Sequence, residues 1–194
     1  MESSEFSLTI EEPSKKKTRR PLDAYYTPPP MTRALIDRYP EIRGGLLLDP
    51  SCGDGRMSRQ LVNAGRFERA ITSDIATGGM DATREDSWRA WKGQGPAWAV
   101  SNIPFCFSHS IPWRAIEAGI PAAFLMRITF LEPTEDRQWL VCHPPTAQLV
   151  LWRASFDGSG QTDSTTCSWF IWGPVPPGIQ VIRSEDIGQM ELFP

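Results

Sequence analysis

Short apolar runs alternate along this chain with segments whose apolar positions recur at helical spacing. GLLLDP, ending at Asp49 and Pro50, has the pattern of a short buried strand. RMSRQLVNAG reads as a helix closed by Gly65. ERAITSDI and PAWAVSN repeat the strand pattern, IPWRAIEAG reads as a helix begun at a proline, and AAFLMRI is a further apolar strand. Upstream, MTRALIDRYP places Leu35, Ile36 and Tyr39 on one helix face. Strands separated by helix-length segments predict a parallel sheet wrapped by helices. Later, AQLVLWRASF and CSWFIWG flank the loop DGSGQTDSTT and predict an antiparallel hairpin or flap at the sheet edge. The segment GPVPPGIQVIRSEDIGQMELFP is rich in proline and glycine and is expected to lie on the surface or hang free. The expected organisation is a mobile basic arm over residues 1–20, one domain over 21–173 and a tail over 174–194.

Composition narrows the class. A chain of 194 residues can bury one core, and a net charge of −3 gives it no overall basic field for nucleic acid. Positive charge is concentrated in KKKTRR, Lys15 to Arg20, which reads first as a solvated tail. Cys52, Cys106, Cys142 and Cys167 are scattered without a C-x-x-C pair, which argues against a zinc site or a disulfide framework and fits a reducing cytosol. His109 and His143 have no metal-ligand partners at useful spacing. No segment approaches the roughly 18 apolar residues of a membrane span, and the polar N-terminus is no secretory signal. A soluble cytoplasmic protein that makes no membrane contact is expected.

In an open parallel sheet, ligands sit at the carboxyl ends of the strands near a topological switch point. Asp49 ends the first strand, and Gly53 and Gly55 follow in a tight turn into a helix, whose N-terminus offers free N–H groups. Asp74 closes the next strand, where a carboxylate can accept hydrogen bonds from two ribose hydroxyls. Asp86, in REDSW, stands at a third candidate strand end. Each aspartate alone would pass for a helix cap or turn residue. All three in order, ahead of SNIPF at Ser101 to Phe105, form a constellation.

These motifs resemble the S-adenosylmethionine-dependent adenine-N6 DNA methyltransferases, particularly small phage-type members. The resemblance covers about residues 24 to 173. YYTPP is similar to the segment before the family's first strand, DPSCGDG to its cofactor loop and SNIPF to its catalytic tetrapeptide. AAFLMRITFLEP and SFDGSGQTDSTTCSWFIWG resemble the later strands and the target-side loop, with Arg127, Arg153 and Asp163 at target-side positions. The resemblance implies a Rossmann-like class I methyltransferase fold of the α/β class, a seven-stranded mixed sheet with helices on both faces. It also implies roles. Tyr26 and Thr27 would close over the S-adenosylmethionine cofactor, and Asp49 and Ser51 with the Gly53–Gly55 turn would hold its methionine end. Asp74 would take the ribose hydroxyls and Asp86 the adenine amine. The Asn102 side-chain oxygen and the main-chain carbonyl of Ile103 would accept hydrogens from the target amine, Pro104 would bias the backbone, and Phe105 would stack on a base rotated out of the duplex. Ile103 stands where the family normally has proline; a main-chain acceptor survives that change, and Pro104 still biases residue 103 toward extended backbone.

Methyl transfer to adenine in DNA is therefore the expected activity, with RNA adenine or cytosine N4 as alternative acceptors and a non-catalytic binding protein as the reading of a different class. No segment is large enough for a separate target-recognition region, so little or short sequence preference is expected, or a partner that delivers the DNA. The resemblance makes shielding of DNA from restriction the expected role. The last residues, GQMELFP, resemble a bacterial sliding-clamp-binding motif, with Gln189 at a pocket rim, Met190 at the aliphatic position, and Leu192 and Phe193 filling an apolar pocket.

Overall fold

The computed structural model describes residues 26–132, 134–153, 166–183 and 185. The arm over 1–20, the loop containing Asp163 and the GQMELFP segment lie outside the described residues.

Two adjacent prolines open the first helix, α1 (Pro29–Arg38), where a missing N–H costs nothing, and Pro40 ends it. Strand β1 (Gly44–Asp49) leads through the glycine turn into α2 (Arg56–Asn63), which closes at Gly65 as its sequence predicts. Strand β2 (Phe67–Thr72), helix α3 (Glu85–Lys92), strand β3 (Trp98–Asn102), helix α4 (Ile111–Ala118) and strand β4 (Ala122–Arg127) continue the alternation. The short helix α5 (Trp139–Cys142) precedes β5 (Ala147–Val150), β6 (Cys167–Trp172) and β7 (Gly178–Val181).

The described strands form one seven-stranded sheet in the order β2-β1-β3-β4-β6-β5-β7. Only β6 runs against its neighbours; β1, β2, β3 and β4 pair in parallel, as do β5 and β7. Period-two alternation splits the core between the two faces. Leu47, Val100, Leu125, Trp169 and Ile171 face α1 and α2, meeting Met31, Leu35, Met57 and Leu61. Leu48, Ala99, Phe124, Phe170 and Trp172 face the other way, meeting Trp88 and Trp91 of α3 and Ile111 and Ala115 of α4. Trp169 and Trp172 accordingly point to opposite sides, and both are core residues. Their indole N–H groups donate to the Met31 carbonyl at 2.9 Å and the His143 carbonyl at 3.0 Å.

Three expectations need correction. The segment around Asp86 is not a strand end: Glu85–Lys92 is a helix. Its buried Trp88 and Trp91 sit one turn apart, and Glu85 pairs with Arg89 across a turn at 2.6 Å. The β5–β6 pair is not a flap at the edge, because β6 inserts between β4 and β5. All six of its residues are buried, the mark of a strand covered on both faces. Residues 173–183 of the segment expected to lie on the surface or hang free are built into the sheet and core. Gly178–Val181 adds the edge strand β7 to β5, and Val175 and Ile182 on either side are buried.

Candidate functional site

Between β1 and β3 the chain turns in opposite directions across the sheet, and their carboxyl ends open a cleft there. Tyr26, Ser51, Gly53, Asp74, Asp81 and Asn102 line it, with Ile75, Ala82, Phe107 and Ile111 as apolar wall. Counting its open mouth, the cleft measures about 650 Å³.

The turn after β1 is fastened to β2 by main-chain bonds: Ser73 N–H donates to the Asp49 carbonyl at 2.9 Å, and Cys52 N–H to the Ser73 carbonyl at 3.0 Å. Asp74 then bridges the two loops. One carboxylate oxygen accepts from Gly53 N–H at 2.8 Å and the other from Ala76 N–H at 2.9 Å, capping a single 3₁₀ turn. Each oxygen keeps a further lone pair, so a cap residue can still receive a diol. Gly53 adopts φ +53°, and a Cβ there would stand 3.3 Å from the Tyr26 ring. Tyr26 thus lies directly over the turn, with the Arg56 guanidinium 4.9 Å from its ring centre and Asp54 holding that guanidinium at 2.7 Å.

Asp49 is fully buried and does not line the cleft. It accepts hydrogen bonds from Ser58 Oγ of α2 and, at 2.7 Å, from Ser101 Oγ of β3. Burial pushes its carboxyl up to about 6, against the pull of those two hydroxyls. Burial, with Asp49 and Asp74 nearby, likewise pushes the Cys52 thiol up to about 11, so Cys52 is an inert packing group.

Strand β3 ends as its sequence proposes. Asn102, paired in register with Leu125, and Pro104 both reach the cleft. Ile103 between them turns its side chain into the core and is 1% exposed. Phe105 is half-buried against the first core, and the Arg127 guanidinium from the end of β4 lies 4.4 Å from its ring centre. Arg127 Nε is buried with no hydrogen-bond partner among the described residues.

The cleft thus gathers Tyr26, Ser51, Gly53, Asp74, Asn102 and Pro104 from the residues proposed on sequence. Thr27 is buried beside Tyr26, and Gly55 faces a separate groove between α2 and β2. Asp86 is not brought to the cleft. It is exposed at the start of α3, paired with Arg84 at 2.9 Å, and that hydrogen-bonded arginine holds its carboxyl below the usual range. The acid at that end of the cleft is Asp81, missed on sequence, which accepts from Thr83 N–H at 2.8 Å and Thr83 Oγ1 at 2.7 Å. The signal available was its place: Gly78 and Gly79 mark a turn, and Asp81 is the first acid after it. Among the described residues no cluster of metal-ligating side chains occurs, and no helix is long and apolar enough to cross a membrane.

Among solved structures, the chain is similar to a modification subunit assigned to a type I restriction enzyme from Vibrio vulnificus YJ016, at 12% identity and a TM-score of 0.59. That likeness covers 88% of this chain and 48% of that one. It is also similar to the methyltransferase subunit of a type I restriction-modification system from Streptococcus thermophilus, at 12% identity and a TM-score of 0.52, over 82% of this chain and 47% of that one. The chain therefore spans about half the length of these subunits. No protein-family model and no curated protein matches the chain. The seven-stranded mixed sheet, helical on both faces, is a Rossmann-like class I methyltransferase fold.

Proposed function

We propose that this protein transfers a methyl group from S-adenosylmethionine to the exocyclic N6 amine of adenine in DNA, with little or short sequence preference. The observation that carries the reading is the placement of Asn102. It lines the same cleft as Asp74, Ser51 and Tyr26, so an amide that would act as acceptor shares a cleft with the acid that would take the ribose.

The residues present fit the cofactor. Asp74 presents a carboxylate to a diol, Ile75, Ala82, Phe107 and Ile111 offer apolar wall to a purine, and Asp81 and Thr83 supply polar groups at the far end. Gly53 leaves room under Tyr26 for the turn to approach a ligand closely. When bound, S-adenosylmethionine supplies an electrophilic methyl group on a sulfonium.

An exocyclic amine is a poor nucleophile because its lone pair is delocalised into the ring. Asn102 Oδ1 and the Ile103 carbonyl can accept its two hydrogens, favouring the pyramidal nitrogen that attacks; this is catalysis by positioning and fixed dipoles. The Ile103 side chain, locked in the core, fixes that carbonyl as a proline ring would by other means. Phe105 gives the base a stacking plane, and the Arg127 guanidinium now on that ring is a cation at the point where a polyanion arrives.

Nucleoside mass spectrometry of mixed-sequence DNA and RNA, incubated with protein and S-adenosylmethionine, tests the reading. N6-methyladenine in DNA is expected, reduced at least about a hundredfold in Asn102→Ala. Methylation confined to RNA would change the substrate and keep the mechanism. No methylated base in either polymer would defeat the proposal.

A further inference from the structure

Beneath the cleft lies a charge that the mechanism above does not use. Asp49 is 0% exposed, directly behind Pro50 and Ser51 of the cleft wall and hydrogen-bonded to Ser101, the neighbour of Asn102. Every element packed around it contributes a donor or an acid. Ser58 comes from α2, Ser101 from β3, Ser51 N–H from its own turn, and the Asp74 carboxylate from the end of β2. The Cys52 thiol, held near 11, is neutral. Among the described residues no lysine or arginine forms an ion pair with Asp49. A buried carboxylate with hydroxyl donors and no cation projects a negative potential into the space before it, weakly screened by solvent.

The two nucleosides that meet a methyl-transfer cleft differ by one methyl group and the positive charge it confers on sulfur. S-adenosylmethionine carries a sulfonium, and its product S-adenosylhomocysteine carries a neutral thioether; ribose, adenine and amino-acid end are shared. We propose that Asp49, clasped by Ser58 and Ser101, selects the charged cofactor over the spent one through the field of its buried carboxylate. The inference rests on the cofactor assignment above and deepens it: Asp49 is a positioning and specificity residue behind the wall, not a contact to the ligand.

The preference must follow the ionisation of Asp49, which burial places at about 6. A sulfonium favours the ionised carboxylate, so its binding strengthens as pH rises through that value and releases a proton. The thioether gains nothing. Hydrogen bonds of the shared ribose to Asp74 are common to both ligands, and the charges of Asp74 and Asp81, which also line the cleft, remain in Asp49→Asn, so the difference between wild type and that variant isolates Asp49. Cys52 is silent over this range.

Calorimetry of the full chain with each nucleoside, from about pH 5 to about pH 8, tests this. In wild type the ratio of the two affinities is expected to rise by about tenfold across that range. Asp49→Asn should give a low, flat ratio. Ser101→Ala withdraws a donor that favours the ionised form, so its rise should move to higher pH; a merely structural clasp would not shift the profile. If Asp49→Asn fails to fold, wild type and Ser101→Ala decide the matter. A ratio independent of pH in both overturns this inference alone, leaving Asp49 as a clasp. Binding of neither nucleoside overturns this inference and the cofactor assignment together.

Discussion

Ile103 shows how one side chain can serve the core and the site at once. Its neighbours Asn102 and Pro104 face the cleft, while its own side chain is buried with Leu48, Ala99, Ile111 and Met126. The sequence made this position look like a departure from a catalytic pattern; burial supplies a reason for an aliphatic residue that composition could not. Ile103→Ala is expected to cost about 2–4 kcal/mol in denaturant unfolding. Ile103→Pro keeps the carbonyl and loses the packing, so it should lower stability while retaining methylation per folded molecule. Loss of turnover at unchanged stability would contradict that account. Asp49 acts through charge instead. Its carboxyl titrates near 6 when folded and about 4 when unfolded, so the folded state binds more protons between those values. Its contribution is most favourable at low pH and declines as pH rises through about 6, by a total of about 3 kcal/mol. The stability difference between wild type and Asp49→Asn, followed by denaturant melts across that window, should carry this slope; a flat difference would mean that Asp49 titrates normally.

At the scale of elements, the strand ends were legible and the connection after β2 was not. GLLLDP and WAVSN each announce a buried run stopped by a polar residue, TSDI closes the more exposed edge strand β2, and each ends at or beside the cleft. The stretch from Asp74 to Arg84 has no period to read. It folds by local hydrogen bonds: Asp74 capping Ala76, the Gly79 N–H donating to the Asp74 carbonyl at 2.8 Å, and Asp81 holding Thr83. The sequence therefore offers Asp86, as an acid at a candidate strand end, and passes over Asp81 in that irregular turn. Gly79 is the critical contact in this loop. A Cβ there would stand 2.6 Å from both the Asp74 main-chain nitrogen and Ser73 Oγ. Backbone cannot yield as a side-chain tip can, so Gly79→Ala should displace Asp74 and weaken S-adenosylmethionine binding by about tenfold or more. Calorimetry would detect this; unaltered affinity would remove Asp74 from the cofactor site.

For the whole molecule, the parallel half of the sheet builds the cleft and the far half continues the sheet beyond β4. β6 runs antiparallel between β4 and β5, and β7 closes the edge in parallel with β5, an arrangement with no local signature. The tetrad GIQV is too short to declare itself a strand, and three of its four residues remain exposed after pairing. What anchors it is the pair of buried residues outside it, Val175 at 8% and Ile182 at 4%, which join the same core as Leu47, Trp169 and Met31. That core also carries α1 and α2, on which the glycine turn and Tyr26 depend, so the far edge and the cleft share one packed layer. Ile182→Ala should therefore lower global stability by about 2–4 kcal/mol, with a single cooperative transition. A free tail would lose nothing. Denaturant melts of the full chain read by Trp fluorescence make the distinction, since Trp169 lies in that core: a midpoint identical to wild type would put the chain beyond Trp172 outside the cooperative unit.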